Sequence, residues 1–253
     1  MRRVTITLCL LIALIPSYLS SQEGLGSHLV ENPAAASPSD DPNTIVDLQE
    51  AVFRNVLDRS YPDMGAIWDL ERGPLTVCWE NPEDARREDL ALVRQAAEQS
   101  WEANSRLNFD GWEKCFPGGR GIRILIADDP DGPHVKELGN RLNGIADGMS
   151  LNFSFQHWSP ICANSGDDVR QSCIYSIAVH EFGHALGFAH EQNRRDTPDD
   201  RCYARQQGGD GTTLNITPWD PFSVMNYCNP TYNNDGVLSA LDLFALQKIY
   251  GAP

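Results

Sequence analysis

Three histidines within a short stretch of this chain have types and spacing that could hold a metal ion. The stretch at 180–191 reads H-E-F-G-H-A-L-G-F-A-H-E. On a helix, His180 and His184 are four positions apart and project from the same face. Gly187 can adopt the left-handed conformation that ends a helix and turns the chain back. His190 would then supply a third nitrogen to the same ion.

Two other interpretations of the cluster are a pH-sensitive helix and an accident of composition. The pattern H-E-x-x-H alone is a moderate signal, because two histidines on a surface helix usually have no function. The longer pattern H-E-x-x-H-x-x-G-x-x-H should arise by chance on the order of once in ten thousand chains of this length. The residues around the histidines are mostly apolar, which predicts a buried helix with an inward-facing site. We therefore interpret the cluster as a metal site.

The identity of the ligands indicates what such a site could do. Three imidazoles leave one position of a tetrahedral zinc ion open for water, which is typical of a catalytic site rather than a structural one. Glu181 lies about 100° around the helix from His180, so it would flank the ion without joining the ligands. A carboxylate in that place could act as a general base.

The extended motif resembles that of the metzincin zinc endopeptidases, in which a methionine turn follows downstream. The continuation at 190–196, H-E-Q-N-R-R-D, is similar to the H-E-Q-x-R-x-D of the astacin branch. The sequence S-V-M-N-Y at 223–227 is similar to the family's S-x-M-x-Y turn. The resemblance implies that Met225 lies under the metal site, and that Tyr227 can ligate the resting metal and move to the transition state. The alternative for Tyr227 is an aromatic residue packed in a loop.

The chain also departs from the astacin pattern. Astacins usually have histidine between the methionine and the tyrosine, where this chain has Asn226. The arginine and aspartate that follow the astacin motif are replaced by Thr197 and Pro198, and the astacin disulfide pattern does not match this chain's cysteines. The resemblance is sharp over 173–250 and thin over 71–172. We therefore expect an astacin-like chain within the metzincins.

The resemblance implies an α+β fold of the zincin type. Such a fold has a twisted mixed β-sheet, a backing helix, an active-site helix, and an irregular C-terminal subdomain that ends in a helix. It implies Zn²⁺ held by the three histidines, peptide-bond hydrolysis with Glu181 as general base, and a second catalytic residue at Tyr227. One competing function is an inactive metal-binding module that recognises peptides without cutting them, and another is a zinc hydrolase of non-peptide amides. The presence of Glu181 favours the peptidase, because a binding site needs no base.

Patterns of apolar residues predict the elements that would position this site. Strands are predicted at 75–79, 121–127 and 148–155, the last of them half-exposed because apolar and small polar residues alternate along it. Helices are predicted at 83–104, 172–188 and 239–250, with a long irregular region at 191–236. The segment 151–155 is the candidate for pairing with an extended peptide, as the family's edge strand does. The alternative is a sheet strand with no role in substrate binding.

The N-terminal residues predict export of the chain. Arg2 and Arg3 precede an apolar run at 4–15 and small residues at 17–21, which is the pattern of a secretory signal peptide over 1–21. An N-terminal membrane anchor is the alternative. The segment 22–70 is predicted to be a flexible prosegment or linker, with a short amphipathic helix at 45–57, and 71–253 is predicted to be the catalytic domain.

The astacin resemblance favours a prosegment over a linker. In astacins the glutamate that matches Glu191 pairs with the N-terminus released when the prosegment is removed. The resemblance therefore implies cleavage near residues 60–72 before full activity. After export no thiol remains before Cys78 to block the metal, and an aspartate such as Asp63 or Asp69 could block it instead.

Charge and cysteine content restrict the partners and the compartment. The formal net charge of −15 argues against binding to nucleic acid or anionic membranes, whose phosphates would repel the chain. We expect a secreted monomer that acts on protein or peptide substrates and has no membrane contact after signal cleavage. Cys9 lies in the signal, and an even set of six remaining cysteines suggests disulfides in an exported chain. From sequence proximity alone we predict the pairs Cys78–Cys115, Cys162–Cys173 and Cys202–Cys228.

Two acceptor sequons for N-linked sugar are present, beginning at Asn152 and Asn215. Either could carry sugar in a eukaryotic host, although the motif is common by chance.

Overall fold

The computed structural model describes residues 66–194, 196–198, 202 and 216–253. A mixed five-stranded sheet lies beside the helix that carries His180 and His184. The strands run in the order β2-β1-β3-β5-β4, and only β4 is antiparallel to its neighbour. Their bounds are β1 Leu75–Trp79, β2 Phe109–Lys114, β3 Ile122–Ile126, β4 His134–Val135 and β5 Met149–Leu151.

Four α-helices accompany the sheet in the described part of the chain. They are α1 Arg87–Ala97, α2 Pro160–Asn164, α3 Asp167–Ala185 and α4 Ala240–Tyr250. Helix α1 continues into a π-helical turn at Glu98–Glu102. It connects the parallel strands β1 and β2, as a crossover helix does, and it packs against α3. No helix in the described residues has both the length and the apolar character needed to cross a membrane.

Aromatic side chains hold α3 between α1 and the sheet. The indole Nε1 of Trp101 donates a 2.9 Å hydrogen bond to the backbone carbonyl of Val179 in α3. On the sheet side, the ring of Phe182 meets Phe109 of β2 edge-on, with centroids 5.4 Å apart. Trp101 and Phe182 are fully buried. Helix α3 is therefore fixed on both sides by packing within the protein alone.

The helices predicted from periodicity are present, with shifted N-terminal ends. The first begins at Arg87 rather than at 83, because Pro82–Asp84 forms a separate 3-10 turn. The second begins at Asp167 rather than at 172, after Gly166 at a φ of 100°. The helix predicted at 239–250 has Ser239 as its N-cap and Ala240 as its first helical residue. The helix predicted at 45–57 lies outside the described residues.

The prediction for 148–155 is wrong in extent and in role. Strand β5 stops at Leu151, because the Oδ1 of Asn152 accepts hydrogen bonds from the backbone N–H groups of Ser154 and Phe155 and turns the chain. Residues 149–153 are all buried, so the strand is not half-exposed. It also lies between β3 and β4, where both of its edges are paired. The segment therefore cannot add a peptide substrate as a further strand.

The same turn removes Asn152 as a site for sugar. Its side chain is buried, with the residue only 2% exposed. Its Nδ2 donates a 2.8 Å hydrogen bond to Oδ1 of Asp128. A glycan on this nitrogen would have no space and would break the bond, so the sequon cannot be modified in the folded chain. Asn215 lies outside the described residues.

The three predicted disulfides are confirmed in the structure. Cys78–Cys115 joins β1 to the end of β2, and Cys162–Cys173 joins α2 to α3. Cys202–Cys228 joins residues 26 positions apart and reaches the segment that follows the methionine turn. Cys162–Cys173 therefore restrains α3, the helix that carries His180 and His184. Cys202–Cys228 restrains the segment that follows the methionine turn.

We predict that Asp89→Ala destabilises the fold through the packing of α1 on α3. The Asp89 carboxylate is 4% exposed and pairs with Arg170 of α3 at 2.8 Å and with Arg86 at 3.0 Å. Its removal leaves the largely buried Arg170 guanidinium short of its main partner, which costs about 3 kcal/mol of unfolding free energy. Urea denaturation would measure this loss. The exposed neighbour Glu88→Ala should change the value by less than about 0.5 kcal/mol, and equal effects of the two variants would contradict the prediction.

Candidate metal centre

The C-terminus of α3 reverses the chain towards its own last turn. Gly187 has a φ of +97°, and its N–H donates to the carbonyl of His184 at 2.9 Å. The N–H of Phe188 donates to the carbonyl of Gly183 at 2.9 Å. These two bonds form the Schellman motif that closes a helix through a left-handed residue. The reversal carries His190 back beside the helix that bears the first two histidines.

The structure brings the three predicted ligands together. The Nε2 atoms of His180 and His190 are 3.2 Å apart, and those of His184 and His190 are 3.0 Å apart. One ligand atom from each of the three residues lies within 4.8 Å of the others. This spacing fits three nitrogens converging on a single ion.

The hydrogen bonds on the far side of two rings fix which nitrogen carries the proton. Nδ1 of His180 lies 2.7 Å from the carbonyl oxygen of Val224, and Nδ1 of His184 lies 2.7 Å from that of Phe188. A carbonyl only accepts, so each Nδ1 must donate, and in the neutral ring each Nε2 then presents a lone pair. Lone pairs that converge at about hydrogen-bonding distance repel each other unless a cation lies among them. The donor set therefore fits a metal ion.

Burial keeps these imidazoles neutral. Burial, together with the nearby His190, lowers the pKa of His180 to about 3, against an opposing effect of the Val224 carbonyl. Burial also lowers the pKa of His184 well below its ordinary value, with further contributions from the other two histidines. Neutral imidazole is the form that binds a metal ion.

Glu181 is a buried carboxyl group, and one of its two oxygens lacks a hydrogen-bond partner among the described residues. The residue is 3% exposed, and the unpaired oxygen is Oε2. Burial raises the pKa of Glu181 to about 8. An unpaired buried oxygen is costly to stability, so its presence beside the histidines points to a role in chemistry.

A turn at residues 223–227 forms the floor of the site. Met225 is almost fully buried and packs directly on Gly183 of α3. A Cβ atom at Gly183 would lie 2.4 Å from the Met225 Sδ and 3.0 Å from the Trp101 ring. Because the Val224 carbonyl in the same turn accepts the hydrogen bond from His180, this turn both supports the helix and orients one imidazole.

The start of α4 anchors this turn through Asp242, a residue that the sequence analysis did not single out. Its carboxylate accepts hydrogen bonds from the Ser223 hydroxyl at 2.7 Å and from the Val224 N–H at 3.0 Å. It also forms a capping box with Ser239. Burial raises the pKa of Asp242, although these hydrogen bonds oppose the shift. The sequence predicts a helix that begins at 239, but no pattern could show that the Asp242 carboxylate reaches a turn 18 residues earlier.

Tyr227 lies next to the converging imidazoles. Its ring stacks on His180 with centroids 5.4 Å apart and lies 4.4 Å from the His190 ring. The backbone N–H of Tyr227 donates to Oε1 of the fully buried Gln192 at 3.0 Å, a contact that no sequence pattern predicts. Burial, followed by the charge of Glu181, raises the pKa of the Tyr227 hydroxyl. The hydroxyl therefore stays protonated and can donate a hydrogen bond.

Glu191 lines a cavity of about 110 Å³ together with Ala66, Ile67 and His190. Its Oε1 accepts a 2.8 Å hydrogen bond from the Asp220 N–H and lies 3.2 Å from the Arg194 guanidinium. Burial raises the pKa of Glu191 to about 7, although Arg194 opposes the shift. The first described residues of the chain and this carboxyl group thus share one cavity.

Comparisons with known proteins agree with this geometry. The family model described as Astacin, a peptidase family, matches residues 168–207, which include all three histidines. The solved structure of myroilysin is 20% identical, covers 75% of this chain and 98% of its own, and superposes with a TM-score of 0.53. The stretch that bears the histidines is therefore astacin-like in sequence. The expected α+β zincin fold is thereby confirmed, and the activity class is that of the zinc metalloendopeptidases.

A second solved structure is also similar to this astacin-like chain. It is high choriolytic enzyme 1, a hatching enzyme zinc-protease from Oryzias latipes (medaka fish), at 18% identity and a TM-score of 0.49. The match covers 76% of this chain and 97% of the hatching enzyme. The comparison with curated proteins gave no match.

We predict that Gly183→Ala destabilises this astacin-like fold, although alanine is the better helix former. Helix propensity alone would stabilise the variant by about 1 kcal/mol. The added methyl group would instead collide with Met225 and Trp101, and such overpacking costs about 1–3 kcal/mol. Urea denaturation should therefore show a lower unfolding free energy. Ser172→Ala, on the exposed face of the same helix, serves as the control, and a stabilised Gly183→Ala would show that Met225 does not pack closely there.

Proposed function

We propose that this chain is a secreted zinc endopeptidase that uses His180, His184 and His190 as metal ligands and Glu181 as the general base. The observation that carries the proposal is the convergence of three Nε2 atoms, two of which have ring partners that leave them with lone pairs. The unpaired buried oxygen of Glu181 supports the choice of base. As a peptidase of the astacin-like class, the chain acts on peptide or protein substrates.

Three neutral imidazoles with one position open to water are the ligand set of catalytic Zn²⁺. Zinc bound there would supply the Lewis acid that lowers the pKa of a coordinated water towards about 7 and polarises the scissile carbonyl. The protein supplies the orientation of the ligand imidazoles. The carbonyls of Val224 and Phe188 hold two of the rings by their Nδ1 atoms, which fixes the tautomer and the direction of the lone pair.

Two side chains carry the proton transfer and the charge stabilisation. Glu181 accepts a proton from the attacking water and later delivers it to the leaving amine. Tyr227 donates its hydroxyl hydrogen to the oxyanion that develops on the scissile carbonyl. An inactive peptide-binding module would need neither group, and a hydrolase of non-peptide amides is disfavoured by the match to a peptidase family over the helix that bears the site.

The open edge of the sheet offers a place for an extended substrate. Strand β4, His134–Val135, is the last strand in the sheet order and is paired only with β5 among the described strands. A peptide that adds a strand there would gain backbone hydrogen bonds independent of its sequence. We assign to β4 the role that the sequence analysis gave to 151–155.

Secretion and activation form the remaining part of the proposal. The three disulfides suit an oxidising compartment, in keeping with a signal peptide at 1–21. Cleavage near residues 60–72 would release a new N-terminus close to the cavity that Ala66, Ile67 and Glu191 line. An ammonium group paired with Glu191 there would replace the solvation that the buried carboxylate has lost.

We predict that Glu181→Gln abolishes peptide cleavage while zinc content is unchanged. The amide keeps the shape of the side chain but cannot accept the proton of the attacking water. The loss of a general base costs on the order of 10²–10⁴-fold in kcat. Zinc per chain would be measured by elemental analysis, and cleavage with a library of fluorogenic peptides.

The control is His184→Ala, which should lose zinc and cleavage together because a ligand is missing. Wild-type protein stripped with a chelator should regain cleavage when Zn²⁺ is restored. Cleavage by Glu181→Gln at the wild-type rate would refute the assignment of the base. Wild-type chain that binds zinc but cleaves no peptide would instead identify a binding module.

We predict that active enzyme has a processed N-terminus within residues 60–72. The precursor cannot place an ammonium group in the cavity beside Glu191, because a free N-terminus exists there only after cleavage. N-terminal sequencing of the active and inactive fractions would test this. A terminus at residue 22 in fully active protein would exclude the proposed activation step.

A further inference from the structure

Asn226, the residue at which this chain departs from the astacin pattern, organises the turn that presents Tyr227. Asn226 is fully buried. Its Oδ1 accepts a 2.9 Å hydrogen bond from the Cys228 N–H, and its backbone carbonyl accepts a 3.0 Å bond from the Asn229 N–H. The first bond makes an Asx turn and the second closes a β-turn. Both loops enclose Tyr227, which is the first residue after Asn226 in each of them.

The amide nitrogen of Asn226 fixes this turn to a second segment of the chain. Its Nδ2 donates a 2.7 Å hydrogen bond to the backbone carbonyl of Asp220. Asp220 is buried, and its own N–H donates to Oε1 of Glu191. The Ser239 hydroxyl, at the start of α4, donates to the Asp220 carboxylate. The carbonyl that receives the Asn226 amide therefore lies on a segment that is itself held from two directions.

The two side-chain contacts of Asn226 require both halves of an amide. One atom accepts a hydrogen bond from a backbone N–H, and the other donates to a backbone carbonyl, which a carboxamide does with separate oxygen and nitrogen atoms. Aspartate would accept but would not donate, and it would bring a charge into a buried place. Serine forms the equivalent turn more weakly, and alanine makes neither contact. The side chain thus fixes the turn by its chemistry and not only by its volume.

Tyr227 is held by its backbone on both sides. Its own N–H donates to Oε1 of Gln192 at 3.0 Å, and the N–H of the next residue, Cys228, donates to Asn226. With both peptide groups fixed, the direction in which the Tyr227 side chain leaves the backbone is fixed as well. Its ring is thereby directed to the imidazoles, with its centroid 4.4 Å from that of His190.

We propose that Asn226 is a positioning residue that directs the Tyr227 hydroxyl at the oxyanion. This inference rests on the proposed endopeptidase function, in which Tyr227 stabilises that charge. The oxyanion is absent from the bound substrate, so a misdirected hydroxyl lowers kcat and leaves KM nearly unchanged. The hydrogen bonds of Asn226 go to its own turn and to Asp220, so its replacement removes no metal ligand and zinc is retained.

The test measures kcat, KM and zinc content of Asn226→Ala with a fluorogenic peptide that wild type cleaves. Misplacing a catalytic group by about 1 Å costs on the order of 10²-fold, so kcat should fall between about tenfold and about a hundredfold. KM should stay within about twofold, because the lost contact belongs to the transition state. Asn226→Ser should recover part of kcat, since its hydroxyl can form the weaker turn. Rates are taken well below each variant's thermal midpoint, because alanine leaves the Asp220 carbonyl unpaired.

A double-mutant cycle separates positioning from general destabilisation. Tyr227→Phe removes the hydroxyl and should lower kcat on the order of 10²–10³-fold. When Tyr227→Phe is already present, adding Asn226→Ala should change kcat by less than about twofold, because no hydroxyl is left to direct. An equal loss from Asn226→Ala in both backgrounds would overturn the inference. If Asn226→Ala does not fold, Asn226→Ser replaces it in the same cycle.

Asn229→Ala is the matched control within the same loop. Asn229 forms the next Asx turn, in which its Oδ1 accepts a 3.0 Å hydrogen bond from the Thr231 N–H, but this turn does not enclose Tyr227. Asn229→Ala should therefore keep kcat within about twofold of wild type. Equal losses in Asn229→Ala and Asn226→Ala would contradict the inference.

The outcomes also distinguish this inference from the proposed function. Tyr227→Phe that cleaves at the wild-type rate would refute the role of Tyr227 and this inference with it. An impaired Tyr227→Phe beside a fully active Asn226→Ala would refute the inference alone. Wild type that cleaves no peptide would defeat both.

Discussion

The metal centre depends on one electrostatic constraint, the convergence of three imidazole nitrogens, at least two of which present lone pairs. Lone pairs held this close repel each other unless a cation lies between them, so the protein has to hold the rings together by other means. Two backbone carbonyls do this by accepting hydrogen bonds from the Nδ1 atoms of His180 and His184. The aromatic packing of Trp101 and Phe182 prevents α3 from moving to relieve the repulsion. A rigid helix is thus a condition of the site.

One of the two carbonyls belongs to a segment that is remote in sequence, and this ties the C-terminal part of the chain to the ligand geometry. Val224 accepts from His180, while its own N–H is held by Asp242 at the start of α4. The cap of a helix therefore determines the direction of a lone pair on another helix. Gln192 positions Tyr227 in a similar way from the segment just after the third histidine. Side-chain contacts of this kind, rather than regular backbone pairing, hold the turn at residues 223–227.

The sequence predicts the local part of this arrangement and misses the long-range part. Spacing alone identifies the three imidazoles and Gly187, because a helix and its left-handed end relate residues ten positions apart or fewer. Proximity in sequence also predicts the three disulfides. Periodicity fails at Asn152, where a side chain captures two backbone N–H groups and ends a strand that the apolar pattern would continue. The contact of Asp242 with the turn at residues 223–227 leaves no local signal, since Ser223 and Val224 are brought to it only by the folded chain.

The burial of Asn152 ties the turn after β5 to an unmodified amide. Oligosaccharide is attached to an acceptor asparagine while the chain is still unfolded, before its amide can reach Asp128. A secretory apparatus that recognises Asn-Phe-Ser would leave the modified chains unable to form the turn after β5, which adjoins the first turn of α3 through the bond from Arg170 to the Phe153 carbonyl. The folded molecule is therefore compatible only with an Asn152 amide that carries no sugar.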